Sequence, residues 1–207
     1  MSKFKSYLVF GPNGIGKGTN AKATGMLPGF QHFSTGDMFR ALVARVKEGK
    51  ASELELRIDK IMKSGGLVDD QTTVDLARQN LEGGASEGSF NPETDYLLLD
   101  GIPRNRKQAE MIADFCDVRG VLHVTASREV AVARITGRAM IEGRKDDQDA
   151  ESVGKRLDIF FENAADILSF YDPEFDGNMT YSSDMIRYIN ADQKPAAVLR
   201  DFLGYLI

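Results

Sequence analysis

The stretch GPNGIGKGT, residues 11–19, directly follows the apolar run YLVF at 7–10 and directly precedes residues that can start a helix. Its four glycines let successive backbone N–H groups curl around a polyphosphate with no Cβ in the way. Lys17 can then reach the outer phosphates, and the N-terminus of the following helix adds its partial positive charge. The usual motif has Ser or Thr straight after the lysine, whereas here Gly18 intervenes and the hydroxyl comes at Thr19. The sequence therefore predicts a phosphate-binding loop of the less common type in which a glycine separates the lysine from the hydroxyl residue.

The composition limits the class of protein further. The chain has 207 residues, of which 42% are hydrophobic and 28% charged, and this is typical of one α/β domain with a buried core. A formal net charge of −5 disfavours a general nucleic-acid or anionic-membrane surface. Cys116 is the only cysteine in the sequence, which excludes an internal disulfide and any multi-cysteine zinc site. The first residues do not have the pattern of a signal peptide, and we expect a cytoplasmic protein.

Short apolar runs alternate with longer helical patterns along the chain. Strands buried on both faces are predicted at 7–10, 96–99, 121–124 and 185–189, with a short further strand around 31–33. Helical spacing is found at 41–46, 54–62 and 74–81, in a long helix that opens near Asp149, and in a final helix from Lys194 onward. The segment 82–95 is rich in Gly, Ser, Glu and Asn and predicts a flexible surface loop. This alternation predicts a doubly wound α/β fold with a parallel sheet, whose ligands lie at the carboxyl ends of the strands.

Two polar clusters follow predicted strands. In STGDMFR at 34–40, Ser34 or Thr35 can cap the next helix, and Arg40 then projects one turn further, where it can hold an anion. Taken alone, this string is also an ordinary helix cap. In DGIPR at 100–104, Asp100 stands at the end of a buried strand, where a carboxylate can order the water shell of a magnesium ion or simply cap the turn.

A set of arginines occupies the second half of the chain. Its members are Arg134, Arg138, Arg144 and Arg156. Any one of them alone would be expected to be a solvated surface residue. Their grouping favours another interpretation, because arginines keep their charge in a desolvated cleft and grip phosphate oxygens in pairs.

With these motifs in order, the sequence resembles the adenylate kinase family over nearly its whole length. GPNGIGKGT resembles the family's phosphate loop, STGDMFRA its acceptor-binding segment and DGIPRNRKQA its DGFPR signature with the following glutamine. GRAMIEGRKDD resembles the flanks of its lid, and NADQKP its loop near the donor base. The resemblance implies reversible transfer of a phosphoryl group from MgATP to AMP, giving two ADP. It also implies a P-loop NTPase-like core at 1–33, 69–137 and 145–207, a helical acceptor-binding insertion at 34–68 and a short lid at 138–144.

The resemblance also implies roles for individual residues. On the donor side these are Gly14, Ile15, Gly16, Lys17, Gly18 and Thr19 for the phosphates, Arg138 for the same phosphates, Arg134 stacked on the adenine and Lys194 in contact with it through the backbone. On the acceptor side they are Thr35, Arg40, Gly66, Leu67, Val68, Gly101, Arg104 and Gln108, with Gln108 pairing with the adenine edge. Arg144 and Arg156 would bridge the two nucleotides during transfer, and Lys17, Arg104 and Arg138 would act with them. Asp100 would orient Mg²⁺ through water. The partners implied are ATP, AMP and ADP, bound by a monomer.

The chemistry of such a transfer agrees with the residues present. A phosphate acceptor is already ionised at neutral pH, so no general base is needed, and His32 and His123 are expected to be structural. Three alternatives stay open at this point: a UMP or CMP kinase of the same fold, a kinase that acts on a hydroxyl group, and a catalytically silent nucleotide-binding module.

Overall fold

The computed structural model describes residues 3–64, 66, 68–142 and 150–206, and within these ranges the side chains of 138–142, 150–152 and 156 lie outside the description. Five strands form the sheet: β1 Phe4–Phe10, β2 Phe30–Ser34, β3 Tyr96–Asp100, β4 Cys116–Thr125 and β5 Ile186–Asn190. Eight helices are described around it: α1 Lys17–Thr24, α2 Thr35–Lys47, α3 Glu53–Lys63, α4 Asp70–Ser86, α5 Arg106–Ile112, α6 Arg128–Glu142, α7 Ala150–Tyr171 and α8 Pro195–Leu206.

All strand pairs in the sheet are parallel, and the strand order is β2-β3-β1-β4-β5. From β1 the chain crosses to β2 at one edge of the sheet and returns to β3 beside β1, and it then passes to β4 and β5 on the other side of β1. This is the doubly wound arrangement that the alternating pattern predicts. Because every strand points the same way, the carboxyl ends of β1, β2 and β3 meet at one edge. The phosphate-binding loop and both polar clusters leave the sheet at that edge.

Alternating side chains of the strands fill two cores on opposite faces of the sheet. In β3, Leu97 and Leu99 point into one core and Leu98 into the other, and all three are almost fully buried. Helix α7 contributes to both cores: Val153 and Leu157 are buried in one, and Ala164 and Leu168, at the same helical spacing, are buried in the other. This confirms the apolar face predicted for the long helix. A smaller third core joins α2, α3 and α4.

The predicted surface loop at 82–95 is confirmed as irregular and mostly exposed at 87–95, but the prediction is wrong in two respects. Helix α4 continues to Ser86, with Arg78 and Glu82 paired one turn apart and the Ser86 hydroxyl donating to the Glu82 carbonyl. Phe90 is buried and its ring packs edge-on against Phe4, with centroids 5.8 Å apart. The glycines at 83 and 84 weaken a helix by only about 1 kcal/mol each, which packing and local pairs can offset.

Strand β4 is also longer than the apolar run at 121–124. Its first half pairs with β1 only, whereas β5 pairs from Val121 onward. That first half is therefore a sheet edge, which tolerates the ion pair between Asp117 and Arg119. Because this part of the strand carries charged residues, it does not form an apolar run in the sequence and was not predicted.

His123 lies near the carboxyl end of β4, between Phe10 of β1 and Tyr188 of β5, and is fully buried. Neither ring nitrogen has a hydrogen-bond partner among the described residues, and the ring lies 5.7 Å from that of Phe10 between centroids. Burial lowers the pKa of His123 from 6.5 to about 4. His123 is thus the packed structural histidine that the sequence predicts, and its burial favours the neutral form.

This burial predicts a pH dependence of stability. An unfolded chain protonates His123 near its ordinary pKa, whereas the folded chain does so only near about 4, so the stability present above pH 6.5 is lost as the pH falls towards 4. The loss from this group is expected to be about 3 kcal/mol. Urea unfolding at pH 7.5 and pH 4.5 should show a smaller loss of unfolding free energy for His123→Leu than for the wild type. Equal losses in the two proteins would contradict this account.

None of the helices in the described ranges combines the length and the apolar character that crossing a bilayer needs.

Candidate functional site

The loop between β1 and α1 turns tightly because its glycines have backbone conformations, and stand at positions, that would not accommodate a side chain. Gly14 has a φ of +83°, and a Cβ there would lie 2.5 Å from the Ile135 side chain on α6. Gly16 has a φ of +105° and occupies the N-cap of α1, where it leaves the first N–H groups of the helix uncovered by any side-chain cap. Ile15 points the other way and is buried in the core, so that only its backbone faces the loop. Uncovered N–H groups at a helix start and glycines in such conformations are typical of loops that bind anions, and the binding role of this loop stays a prediction.

Lys17 is the first residue of α1, and the residue is only 6% exposed. Its ammonium donates to the carbonyl oxygens of Gly11 and Pro12, at 2.6 and 2.7 Å. A buried ammonium is costly unless its hydrogens find acceptors, and carbonyl dipoles of the loop supply them. The cation is thereby held directly over the loop.

The unusual glycine after the lysine is explained by its neighbour. A Cβ on Gly18 would lie 3.1 Å from Oδ2 of Asp100, at the end of β3. Asp100 therefore occupies the space next to the start of α1. On its other side, Nε2 of His32 lies 3.7 Å from the same oxygen and is buried without a hydrogen-bond partner among the described residues.

The side chains around Asp100 suit a cation that keeps water and substrate phosphates as most of its ligands. Among the described residues, no group of three or more His, Cys, Asp and Glu side chains is arranged to hold a metal ion. Mg²⁺ commonly keeps several waters and is bound through one or two carboxylates together with substrate phosphates. Asp100, placed beside the phosphate-binding loop, fits that mode of binding.

The STGD cluster forms the first turn of α2. Ser34 is the N-cap, and its hydroxyl accepts from the Asp37 backbone N–H at 3.3 Å. The Asp37 carboxylate then pairs with Arg40 at 2.5 Å and with Lys22 of α1 at 3.3 Å. Partial burial acts to raise the pKa of Asp37, but hydrogen bonds and charges from Arg40 and Lys22 outweigh it and lower that pKa. Asp37 is therefore a structural partner of Arg40 and a poor proton acceptor.

Thr35 ties this cluster to DGIPR. Thr35 is fully buried, and its hydroxyl donates to the Gly101 carbonyl oxygen at 3.0 Å. The same oxygen accepts from Nε of Arg104 at 3.0 Å, so that the arginine is fixed at its guanidinium while the residue stays exposed. Gly101 has a φ of +86°, and a Cβ there would lie 2.5 Å from the Thr35 hydroxyl. The close approach of the two clusters thus depends on this glycine.

Two cavities meet at this edge of the sheet. A polar one of about 250 Å³ is lined by the phosphate-binding loop, the STGD cluster and DGIPR, and it brings together Lys17, Arg40 and Arg104. A second, more apolar cavity of about 300 Å³ extends from the same loop towards α7. Lys17 and Arg104 line both cavities, so the two cations stand where the cavities meet.

Gln108 lies on α5 and is buried. Its Oε1 accepts from the Arg104 backbone N–H at 2.8 Å, and its Nε2 donates to Oδ1 of Asp70 at 2.7 Å. Asn105, the N-cap of α5, donates to the same Asp70 oxygen at 3.0 Å. The amide expected to read the acceptor base is thus held in a network that spans α4 and α5.

The remaining predicted site residues are placed less centrally. Val68 packs against the small core of α2, α3 and α4, and the Gly66 N–H donates to the carbonyl of Ile61 at the end of α3. Arg134 donates to the Ile15 carbonyl at 3.1 Å, which brings it beside the phosphate-binding loop. The carbonyl of Lys194 accepts from two N–H groups in the first turn of α8, and Lys194 lines neither of the two cavities.

Several predicted residues lie outside what the structure describes. Leu67 and Arg144 fall on residues that are not described. Arg138 belongs to α6 and Arg156 to α7, and the side chains of both lie outside the description. Their roles stay predictions.

Sequence reasoning missed some residues around the site. Asn13, Lys22 and His32 line the polar cavity, and Asp70 and Asn105 fix Gln108. Asn105 and Asp70 could have been noted as residues typical of a helix start. Their contact with Gln108 joins residues that are 38 positions apart in the case of Asp70, and no local pattern carries that information.

Comparison with known proteins gives a consistent result. The family model of adenylate kinase matches residues 9–175 of this chain. An adenylate kinase of Xanthomonas campestris pv. campestris (strain 8004) is 35% identical over 173 residues, which cover 80% of this chain and 84% of the relative. An adenylate kinase of a Cyanothece species is 34% identical over 169 residues, covering 79% of this chain and 80% of the relative.

Proposed function

This chain belongs to the adenylate kinase family, and we propose that it transfers a phosphoryl group reversibly from MgATP to AMP, giving two ADP. One observation carries the proposal. Lys17 from the phosphate-binding loop, Arg40 from the STGD cluster and Arg104 from DGIPR line a single cavity, which continues into a second one. Two mutually repelling nucleotide anions need that convergence of positive charge to become neighbours.

The donor phosphates would lie in the loop formed by residues 14–19, on its backbone N–H groups and the N-terminus of α1. Lys17 would exchange its contacts with the loop carbonyls for the outer phosphates and follow the moving group. Because the ammonium is already desolvated and held over the loop, this exchange requires little reorganisation. Arg134, which already contacts the loop, would cover the donor base, with Lys194 beyond it.

The acceptor would place its phosphate on Arg40 and Arg104 and its base against Gln108. Val68 and the small core of α2, α3 and α4 would form the apolar wall of this pocket, and Gly66, Thr35 and Gly101 would complete it. Leu67 would contribute to acceptor binding as the family resemblance implies. The phosphate oxygen attacks without a base, which agrees with the low basicity of Asp37. Arg138, Arg144 and Arg156 would neutralise the charge shared between donor and acceptor during transfer.

Magnesium would supply charge neutralisation on the donor phosphates when it is bound with the nucleotide. Asp100 would orient it through a water molecule, and Gly18 leaves the room for that carboxylate beside the loop.

The proposal extends to the organisation of the chain. Residues 34–68 would form the acceptor-binding insertion, and 138–144 a short lid, on a core made of 1–33, 69–137 and 145–207. Exclusion of water by these two pieces would protect the donor from hydrolysis. We further propose a monomer that works in the cytoplasm; the single cysteine agrees with a reducing compartment.

An acceptor panel tests the proposal. Purified protein is given MgATP with AMP, UMP, CMP or GMP in turn, and the ADP formed is measured by chromatography. We expect turnover with AMP, two ADP per AMP consumed, and little ATP loss when the acceptor is omitted. Activity confined to UMP and CMP would instead identify a pyrimidine nucleotide kinase, and binding without turnover a silent module.

A further inference from the structure

Gln108 has its side-chain amide locked in one of its two orientations. Its oxygen faces a backbone N–H, that of Arg104, and its nitrogen faces a carboxylate oxygen of Asp70. A backbone N–H can only donate, and a carboxylate has no hydrogen to donate. The orientation of the amide therefore follows from the partners, since turning it over would set donor against donor and acceptor against acceptor.

The lock does not use up the amide. Nε2 carries a second hydrogen and Oε1 a second lone pair, so that one donor and one acceptor are left for a ligand in a fixed order. Adenine presents an amino donor at its 6-position next to an acceptor at N1. A 6-oxopurine presents the reverse, an acceptor at the 6-position next to an N1–H donor. A base held in one place can match the locked amide in only one of these two forms.

We infer that Asp70 is a positioning residue that gives the acceptor site its preference for 6-aminopurine over 6-oxopurine nucleotides, by preventing the Gln108 amide from turning over. The inference rests on the proposed function, in which Gln108 faces the acceptor base. Asp70 is well placed for this task, because it is the first residue of α4 and is held from a second side by Asn105 at 3.0 Å. A glutamine held by the Arg104 N–H alone could turn over more easily to satisfy a 6-oxopurine, and part of the rejection of that base would be lost.

Asp70→Asn tests the inference with little change in shape. The new amide can offer Gln108 either an oxygen or an N–H, so that only the Arg104 backbone N–H still favours one orientation and the lock is weakened. We expect the ratio of kcat/KM for IMP to that for AMP to rise about tenfold, as expected for loss of a hydrogen bond to a charged group. IMP is the cleanest probe, because it differs from AMP at the 6-position and N1 alone. Isothermal titration of AMP and IMP without donor should show the same change in the ratio of dissociation constants.

Asp75→Asn is the matched control. It removes the same charge from the same helix, but Asp75 is exposed and accepts from Gln71 rather than from Gln108. Its IMP to AMP ratio should equal that of the wild type. Both rates are measured on one preparation, so a loss of folded protein cancels in the ratio. If Asp70→Asn does not fold, Asp70→Ser, which keeps a residue favoured at helix starts, carries the same test.

The outcomes separate the inference from the proposed function. A raised ratio in Asp70→Asn alone supports the inference. If wild-type protein uses AMP and Gln108→Leu loses the preference for AMP, while Asp70→Asn keeps the wild-type ratio, the inference is overturned and the proposed function stands. An equal rise in Asp70→Asn and Asp75→Asn also overturns it, because charge alone would then be responsible. A wild type that does not use AMP at all overturns both.

Discussion

Replacing Lys17 with methionine is expected to lower kcat by roughly a thousandfold, the loss typical of removing one group that stabilises charge in a transition state. Methionine keeps the length and much of the volume of the lysine stem, so that the buried position beside the loop stays filled. The ammonium that lies 2.6 and 2.7 Å from the loop carbonyls, and that would follow the moving phosphoryl group, is lost. Initial rates at saturating MgATP and AMP measure the effect, with circular dichroism to verify the fold.

Lys22→Met is the control for this variant. Lys22 lies on the same helix and lines the same cavity, but its side chain is 62% exposed and its ion pair is with Asp37. Exposed pairs contribute little, so kcat should change by less than about fivefold. Similar losses in the two variants would mean that the positive charge of the cavity as a whole, and not the lysine over the loop, drives the reaction.

Replacing Arg104 with alanine is expected to lower kcat/KM for AMP by roughly a hundredfold to a thousandfold. The guanidinium is oriented by its bond to the Gly101 carbonyl and stands where the two cavities meet, so that it can hold the acceptor phosphate in line with the donor. Because the acceptor side is affected, the KM for MgATP should change far less than the KM for AMP. Steady-state kinetics with each substrate varied in turn give both values.

Arg106→Ala is the control for Arg104→Ala, because it removes the same charge from a nearby position in the sequence. Arg106 is two residues further along, on the surface, where it pairs with Glu110 and Asp166. We expect less than about a threefold change in any kinetic constant. A shift in the KM for MgATP as large as that for AMP would show that Arg104 serves the donor, and the assignment of the two sides would have to be exchanged.

Local patterns were sufficient to predict the centre of this molecule. The phosphate-binding loop requires glycines and a lysine in a short stretch, and the buried strands on either side of it are continuous apolar runs, so both can be recognised without knowledge of the fold. The apolar stripe of α7 is equally visible, because it recurs at helical spacing over more than five turns. The edge onto which Asp100 and the STGD cluster project follows from the parallel sheet.

What could not be predicted depends on contacts between distant residues. The first half of β4 carries Asp117 and Arg119 because β5 does not reach it, and that is a property of the sheet rather than of the strand. The reason for Gly18 is a carboxylate more than eighty residues away in sequence, on β3. The burial of Phe90 against Phe4, within a segment of polar and glycine-rich composition, is of the same kind.

The small core of α2, α3 and α4 determines which part of the protein is expected to unfold locally first. Gly11 directly follows β1 and Asp100 ends β3, and these two strands are neighbours at the centre of the sheet. Val9 lies directly opposite Asp100, so backbone hydrogen bonds between the strands fix the spacing of the two residues. The four buried residues that join α2, α3 and α4 form a separate and much smaller cluster. We therefore expect amide hydrogens of α2 and α3 to exchange with solvent long before those of β1 and β3. Warming would then open α2 and α3 locally while the loop between β1 and α1 and the end of β3 stay assembled on the sheet.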